Sequence, residues 1–265
     1  MCLALLAIDA LPDTPLLVLG NRDEFHARPS APAAPWREDA RILGGRDLQA
    51  GGSWLAARSD GRWALVTNHR VWPPQQAPRS RGLLVGDFMR GTETPDVAAQ
   101  RVLRTAHDCA PFHLLLGQGA EVWRVDSAPA RAVRLRPGLH VLSNGDPNAP
   151  WPKQRRLLQL FKAAQAAQPG ADDSTLLELL ADRAQPADAE LPDTGIGLAR
   201  ERLLAPIFIA GHDYGTRCGN LLRQRADGAL SLVEHSFGAD GVALGACGWR
   251  CAAAAEVSPR AWVTA

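Results

Sequence analysis

The sequence predicts an α+β protein in which antiparallel sheets carry helices packed outside them. Two observations carry the antiparallel part. Apolar runs pair across short turn sequences as hairpins, and helical segments fall in clusters between groups of strands instead of alternating with them. A third excludes the main alternatives: no G-x-G-x-x-G follows a strand, and neither a G-x-x-x-x-G-K-[ST] loop nor a G-x-S-x-G elbow occurs. With 265 residues, 46% hydrophobic and 22% charged, the chain can bury a substantial core. A single domain over residues 1–265 is expected, because folds of about 250 residues commonly form one unit.

The elements follow in order. Residues 2–8 and 16–19 read as strands joined by a Pro/Asp turn at residues 10–15. Residues 25–50 carry prolines and charges without a sustained period and read as an ordered surface loop. Residues 51–57 and 62–68 are apolar runs around Ser59-Asp60-Gly61, a second hairpin. Residues 83–89 and 97–106, the latter after a Thr94-Pro95 start signal, have apolar positions three or four apart and predict a helical pair. Strands return at 112–116, 121–125 and 139–142, followed by helices at 152–167 and 174–181. Residues 207–210, 219–223, 230–234 and 242–246 complete the strands, with Asp227-Gly228 as a hairpin turn.

Composition narrows the function classes. The 29 basic and 28 acidic residues give a net charge of +1, so no nucleic-acid partner is indicated. The basic residues are arginines except Lys153 and Lys162, a bias from which no function is drawn. The apolar N-terminus lacks a basic leader and is interrupted by Asp9, Pro12, Asp13 and Pro15, unlike a signal peptide. No run of 18 apolar residues occurs, so no transmembrane segment is expected and the chain reads as cytoplasmic. Five cysteines, at 2, 109, 218, 247 and 251, are an odd number without a small-domain framework and fit reduced thiols.

Chemistry concentrates near the start. Cys2 follows Met1, and removal of Met1 would leave a thiol and a free α-amine on one residue, so nucleophile and base coincide. The amine has a reference pKa near 8 and the thiol near 8.5, close enough for local charge to set which holds the proton. The plain alternative is a small core residue at the start of a strand. Gly20-Asn21-Arg22-Asp23-Glu24-Phe25 ends the second strand, where a hairpin brings it beside the start of the first. There Arg22 would stabilise a thiolate and Asp23 would orient the ammonium; the alternative is a solvated turn with Asn21 in the αL region. Other features are weaker. Cys247 and Cys251 form a C-x-x-x-C without metal-ligand company, so no metal is expected. His26, His69, His107, His113, His140, His212 and His235 are scattered, and any of them is a structural histidine or, on a haem reading, an axial ligand.

Taken together, Met1-Cys2, Asn21-Arg22-Asp23-Glu24, Arg28-Pro29-Ser30, Gly51-Gly52-Ser53-Trp54-Leu55, Thr67-Asn68, Ser80-Arg81-Gly82, Leu142-Ser143-Asn144 and Tyr214-Gly215-Thr216-Arg217 resemble the NRDE-motif family, also called transport and Golgi organisation protein 2. The resemblance runs to about residue 235 and implies an N-terminal nucleophile hydrolase fold, a four-layer αββα sandwich, close to the penicillin V acylase and bile-salt hydrolase branch. It implies Cys2 as nucleophile with Arg22 and Asp23 beside it. Asn68 and Asn144 would stand near the nucleophile and oxyanion, and Arg217 would be a second active-site arginine. The implied reaction is hydrolysis of linear amides other than peptides, for which no cofactor is required. Glu24 directly after Asp23 departs from the acylases. The rival expectation is a non-catalytic trafficking factor whose ligand is a lipid, acyl-CoA or haem; a degenerate enzyme with a structural role is a third.

Overall fold

The computed structural model describes residues 3–252. The chain opens with the expected hairpin, β1 (Leu3–Leu11) and β2 (Thr14–Phe25), turning at Asp13, whose φ of 50° lies in the left-handed region that Asp tolerates. β2 is much longer than expected and carries Asn21-Arg22-Asp23-Glu24 inside the strand. The segment read as a surface loop contains β3 (Ser30–Pro35) and β4 (Ile42–Asp47). β3 is an edge strand, so Pro32 and Pro35 forfeit no ladder bond on its open side and disguise it in the sequence. β5 (Leu55–Arg58) and β6 (Arg62–Asn68) form the second hairpin. The helices α1 (Gly82–Arg90) and α2 (Pro95–Arg104) follow as expected, α2 with proline in its first turn.

Strands β7 (Phe112–Gln118), β8 (Glu121–Ser127) and β10 (Gly138–Leu142) match the reading; the short, mostly exposed edge strand β9 (Ala130–Arg134) was not anticipated. α3 (Pro152–Ala167) occupies the expected residues, and α4 (Asp173–Glu178) is capped by Asp172 accepting from the Thr175 N–H. The short helix α5 (Leu198–Leu204) was also unforeseen. Residues 207–210 are not a strand: Ile207, Phe208 and Ile209 are buried, Ile207 in the cluster with Leu157 of α3 and Leu177 of α4, and Phe208 with its ring 4.9 Å from that of Phe237. β11 (Tyr214–Gln224), β12 (Leu230–Phe237) and β13 (Ala243–Cys251) complete the chain, with Asp227-Gly228 turning between the first two.

One sheet has the order β10-β1-β2-β11-β12-β13 and the other runs β3 to β9 in sequence; every named strand pair is antiparallel. The alternation of side chains along each strand builds the four layers. Ala4, Leu6 and Ile8 of β1 and Leu16 and Val18 of β2 face inward against Leu55, Trp63, Leu65 and Leu115 of the other sheet. Their neighbours Leu3, Leu5, Leu17 and Leu19 face outward onto Leu157 and Phe161 of α3 and Leu176 and Leu177 of α4. On the far side, Ala56, Ala64, Val66, Leu114 and Leu116 pack on Leu84, Phe88 and Met89 of α1 and Ala98 and Val102 of α2. Among the described residues no helix is long and apolar enough to cross a membrane.

Candidate functional site

Three consecutive residues of β2 divide between the two faces of their sheet, and all are buried, which excludes the solvated turn. Asn21 faces the helices, where its Nδ2 donates to the carbonyls of Leu180 at 2.9 Å and Ile207 at 2.8 Å. Arg22 faces the space between the sheets, with its guanidinium 4.3 Å from the centre of the Trp54 ring. Its Nη1 is buried without a hydrogen-bond acceptor among the described residues. Asp23 returns to the helix side: its Oδ1 accepts from Thr216 Oγ1 at 2.7 Å, and Lys153 Nζ of α3 lies 4.0 Å from its Oδ2. Lys153, 3% exposed, also donates to the Leu204 carbonyl at 3.1 Å.

The end of β1 lies between these residues and Asn144. Leu3 pairs with Asn21 and Ala4 with Leu142, so Arg22 is one residue beyond the last β1–β2 pair and Asn144 two beyond Leu142. Asn144 Nδ2 donates to Thr67 Oγ1 at 3.1 Å and to the Asn68 carbonyl at 2.8 Å, and its own carbonyl accepts from Arg70 N at 2.6 Å. These bonds tie the two sheets together across that end. Asn68 is exposed, and it lines the large cleft beside Asn144. Cys2 lies outside the described residues.

Arg217 sits at a register shift, where Thr216 pairs with Asp23 and Cys218 with Arg22. Its guanidinium is engaged: Nη1 donates to the carbonyls of Phe25, His26 and Arg28 at 2.9, 3.2 and 3.0 Å, and Nη2 to Ser30 Oγ at 3.3 Å. Burial, and then the nearby charge of Arg22, lower its pKa. Arg217 therefore fixes the turn after β2, and that turn separates two openings. Arg22, Trp54, Arg217, Cys218 and Glu234 line an inner cavity of about 340 Å³. Phe25, Asn68, His69, Trp72, Asn144, Leu203 and Tyr214 line a wider, mainly apolar cleft of about 590 Å³. Of the predicted residues, Arg22 and Arg217 line the inner cavity, Asn68 and Asn144 line the cleft, and Asp23, on the helix side of its sheet, lines neither.

The remaining thiols are poor nucleophiles. Cys109, Cys218, Cys247 and Cys251 are free, and burial raises the pKa of each, that of Cys247 to about 11. Glu234, between Cys218 and the backbone of β3, is pushed up to about 7 by burial. Among the described residues no group of three His, Cys, Asp or Glu side chains converges to hold a metal. Lys153 and Thr216 were missed as site residues. The usable signal for Lys153 was its residue type, one of two lysines among 29 basic residues.

A family model for Transport and Golgi organisation 2 matches residues 1–239. The Mus musculus Transport and Golgi organization 2 homolog is 28% identical over 259 residues, covering 89% of this chain and 93% of its own. The Drosophila melanogaster Transport and Golgi organization protein 2 is 26% identical over 266 residues, covering 89% and 92%. Among solved structures, a Caenorhabditis elegans N-acylethanolamine-hydrolyzing acid amidase ortholog superposes with a TM-score of 0.54 at 11% identity, covering 83% of this chain and 92% of that one. A single-residue variant of conjugated bile acid hydrolase from Clostridium perfringens gives 0.52 at 8% identity, covering 100% and 97%. These structures share the fold, that of N-terminal nucleophile hydrolases. With its motifs in order, its αββα layers and a family match over nearly its whole length, the chain belongs to the Transport and Golgi organisation 2 family.

Proposed function

We propose that the protein is an N-terminal cysteine hydrolase acting on a linear, non-peptide C–N amide bond. The observation that carries this is the buried placement of Arg22 and Asp23 at the end of β2, beside Leu3, to which Cys2 is joined by one peptide bond. The Arg22 Nη1 donor favours a thiolate, and Asp23 offers its carboxylate to the α-ammonium. The reaction then balances simply. The Cys2 sulfur bonds the amide carbon, the C–N bond breaks, and the α-ammonium gives its proton to the leaving nitrogen. Water cleaves the thioester, releases the acid and restores the thiol. The exposed Asn68 amide at the cleft, with a backbone N–H, supplies the oxyanion donors. The acid amidase and bile acid hydrolase that share the fold support this reaction type.

The test is turnover of a panel of N-acyl amides by wild type and Cys2→Ala, with intact mass recorded during reaction. The expected result is an acyl adduct on a chain lacking Met1 and no turnover by Cys2→Ala. Turnover that survives Cys2→Ala contradicts the proposal.

The cleft itself favours a second reading, a carrier of a lipid or acyl chain, because Phe25, Trp72 and Leu203 on its wall are 58%, 49% and 46% exposed. A carrier binds wild type and Cys2→Ala equally. Haem fits this cleft poorly. His69 lines it, yet its Nδ1 is buried and its ring stacks on His113 at 4.8 Å.

A further inference from the structure

Lys153 has no role in the reaction just described, yet its position is costly on three counts. It is 3% exposed, and burying an ammonium is unfavourable unless the charge is compensated. It stands in the first turn of α3, which has no acidic residue there, so its charge opposes the helix dipole. It is also one of two lysines among 29 basic residues, where the chain otherwise uses arginine. The local geometry accounts for all three. Nζ is 4.0 Å from Asp23 Oδ2 and 3.1 Å from the Leu204 carbonyl, a site suited to a compact point charge and not to a planar fork.

The charged neighbours are few. Arg22 faces the other side of the sheet, and Thr216 of β11 bonds Asp23 through its hydroxyl. Glu201 of α5 borders a small void with Lys153, but its carboxylate accepts from Arg70 at 2.9 Å and from Thr194 N at 3.0 Å. Among the described residues, Asp23 is the carboxylate within 4.0 Å of Lys153 Nζ.

The geometry points to Lys153 as a positioning residue that holds the Asp23 carboxylate and, through it, sets the protonation of the Cys2 thiol and amine. This rests on the nucleophile reading above. The two charges of the pair act on Cys2 with opposite sign. Removing the lysine charge disfavours a thiolate and favours an ammonium, so both effects raise the pH at which Cys2 becomes reactive. Removing the aspartate charge lowers it. A residue that merely supports α3 and α5 would not produce opposed shifts.

The experiment is the rate of iodoacetamide labelling of the Cys2 peptide against pH, resolved from the other cysteine peptides by mass spectrometry. Lys153→Met is expected to move the midpoint up by about one unit, which is about tenfold slower labelling at pH 7. Asp23→Asn is expected to move it down, the double variant D23N/K153M to return it toward wild type, and the exposed Lys162→Met to leave it unchanged. A reactive wild-type Cys2 with the same midpoint in Lys153→Met overturns the role of Lys153 and leaves the nucleophile standing. A wild-type Cys2 that labels no faster than in the unfolded chain overturns the nucleophile, and this inference with it. Should Lys153→Met not fold, the double variant, which removes both buried charges, is expected to fold. Its failure to do so contradicts the pairing.

Discussion

Glu234 is 1% exposed beneath β3, where its Oε1 accepts from Ala33 N at 3.0 Å, and burial lifts its pKa from 4.5 to about 7. The native state therefore holds a proton that the unfolded chain releases at lower pH. That contribution to stability is fully present below pH 4.5, is lost as pH rises to about 7, and is flat above. Its span is about 3 kcal/mol. Half-buried His26, His69 and His235, whose pKa values are lowered chiefly by burial, slope the opposite way below their ordinary range. The difference between wild type and Glu234→Gln isolates the carboxyl: denaturant unfolding from pH 4.5 to 7 is expected to show wild type losing stability relative to the variant as pH rises. A constant difference contradicts a proton on native Glu234. Arg22 and Asp23 could be singled out by residue type and position, whereas their opposite facing required the length of β2. Arg217 was equally visible in the sequence, but only the register shift in β11 directs its fork to three carbonyls of the turn after β2.

At the scale of elements, two of the recognised motifs prove to be one contact. A Cβ on Gly52 would lie 2.4 Å from the carbonyl carbon of Gly82, and Ser53 N donates to the Gly82 carbonyl at 3.1 Å. Gly51-Gly52-Ser53 thus docks on the start of α1, and the second glycine is required by close approach of two backbones. Gly52→Ala is expected to cost about 2 kcal/mol or more and lower the melting temperature by several degrees. An unchanged melting temperature contradicts the close contact. The elements that were legible are those with a turn signal or a one-faced apolar period, such as the β1–β2 hairpin and α3. Those misread lack such a period. β3 and β9 are edge strands without a continuous apolar face, α5 spans Leu198–Leu204 with Leu198 and Leu203 exposed, and Ile207, Phe208 and Ile209 are apolar because they are covered.

At the scale of the molecule, Asn144 and β1 close one end of the sandwich, and the turn held by Arg217 divides the space there into an inner cavity and an apolar cleft. Antiparallel sheets with helices outside them were legible because hairpins and clustered helices follow from local patterning, and the αββα order came with the family resemblance. The partition was not, since it depends on contacts between residues about 190 positions apart, such as Arg217 with the Phe25 and Arg28 carbonyls. An N-terminal nucleophile requires Cys2 to differ chemically from the other four cysteines. Its most direct test is peptide-resolved alkylation of the native wild-type protein at pH 7 with the N-terminal mass read in the same sample. The expected result is an N-terminal peptide that begins at Cys2 and labels well ahead of the peptides carrying Cys109, Cys218, Cys247 and Cys251, whose thiols burial makes sluggish. Retention of Met1, or labelling of Cys2 no faster than those four, would contradict it.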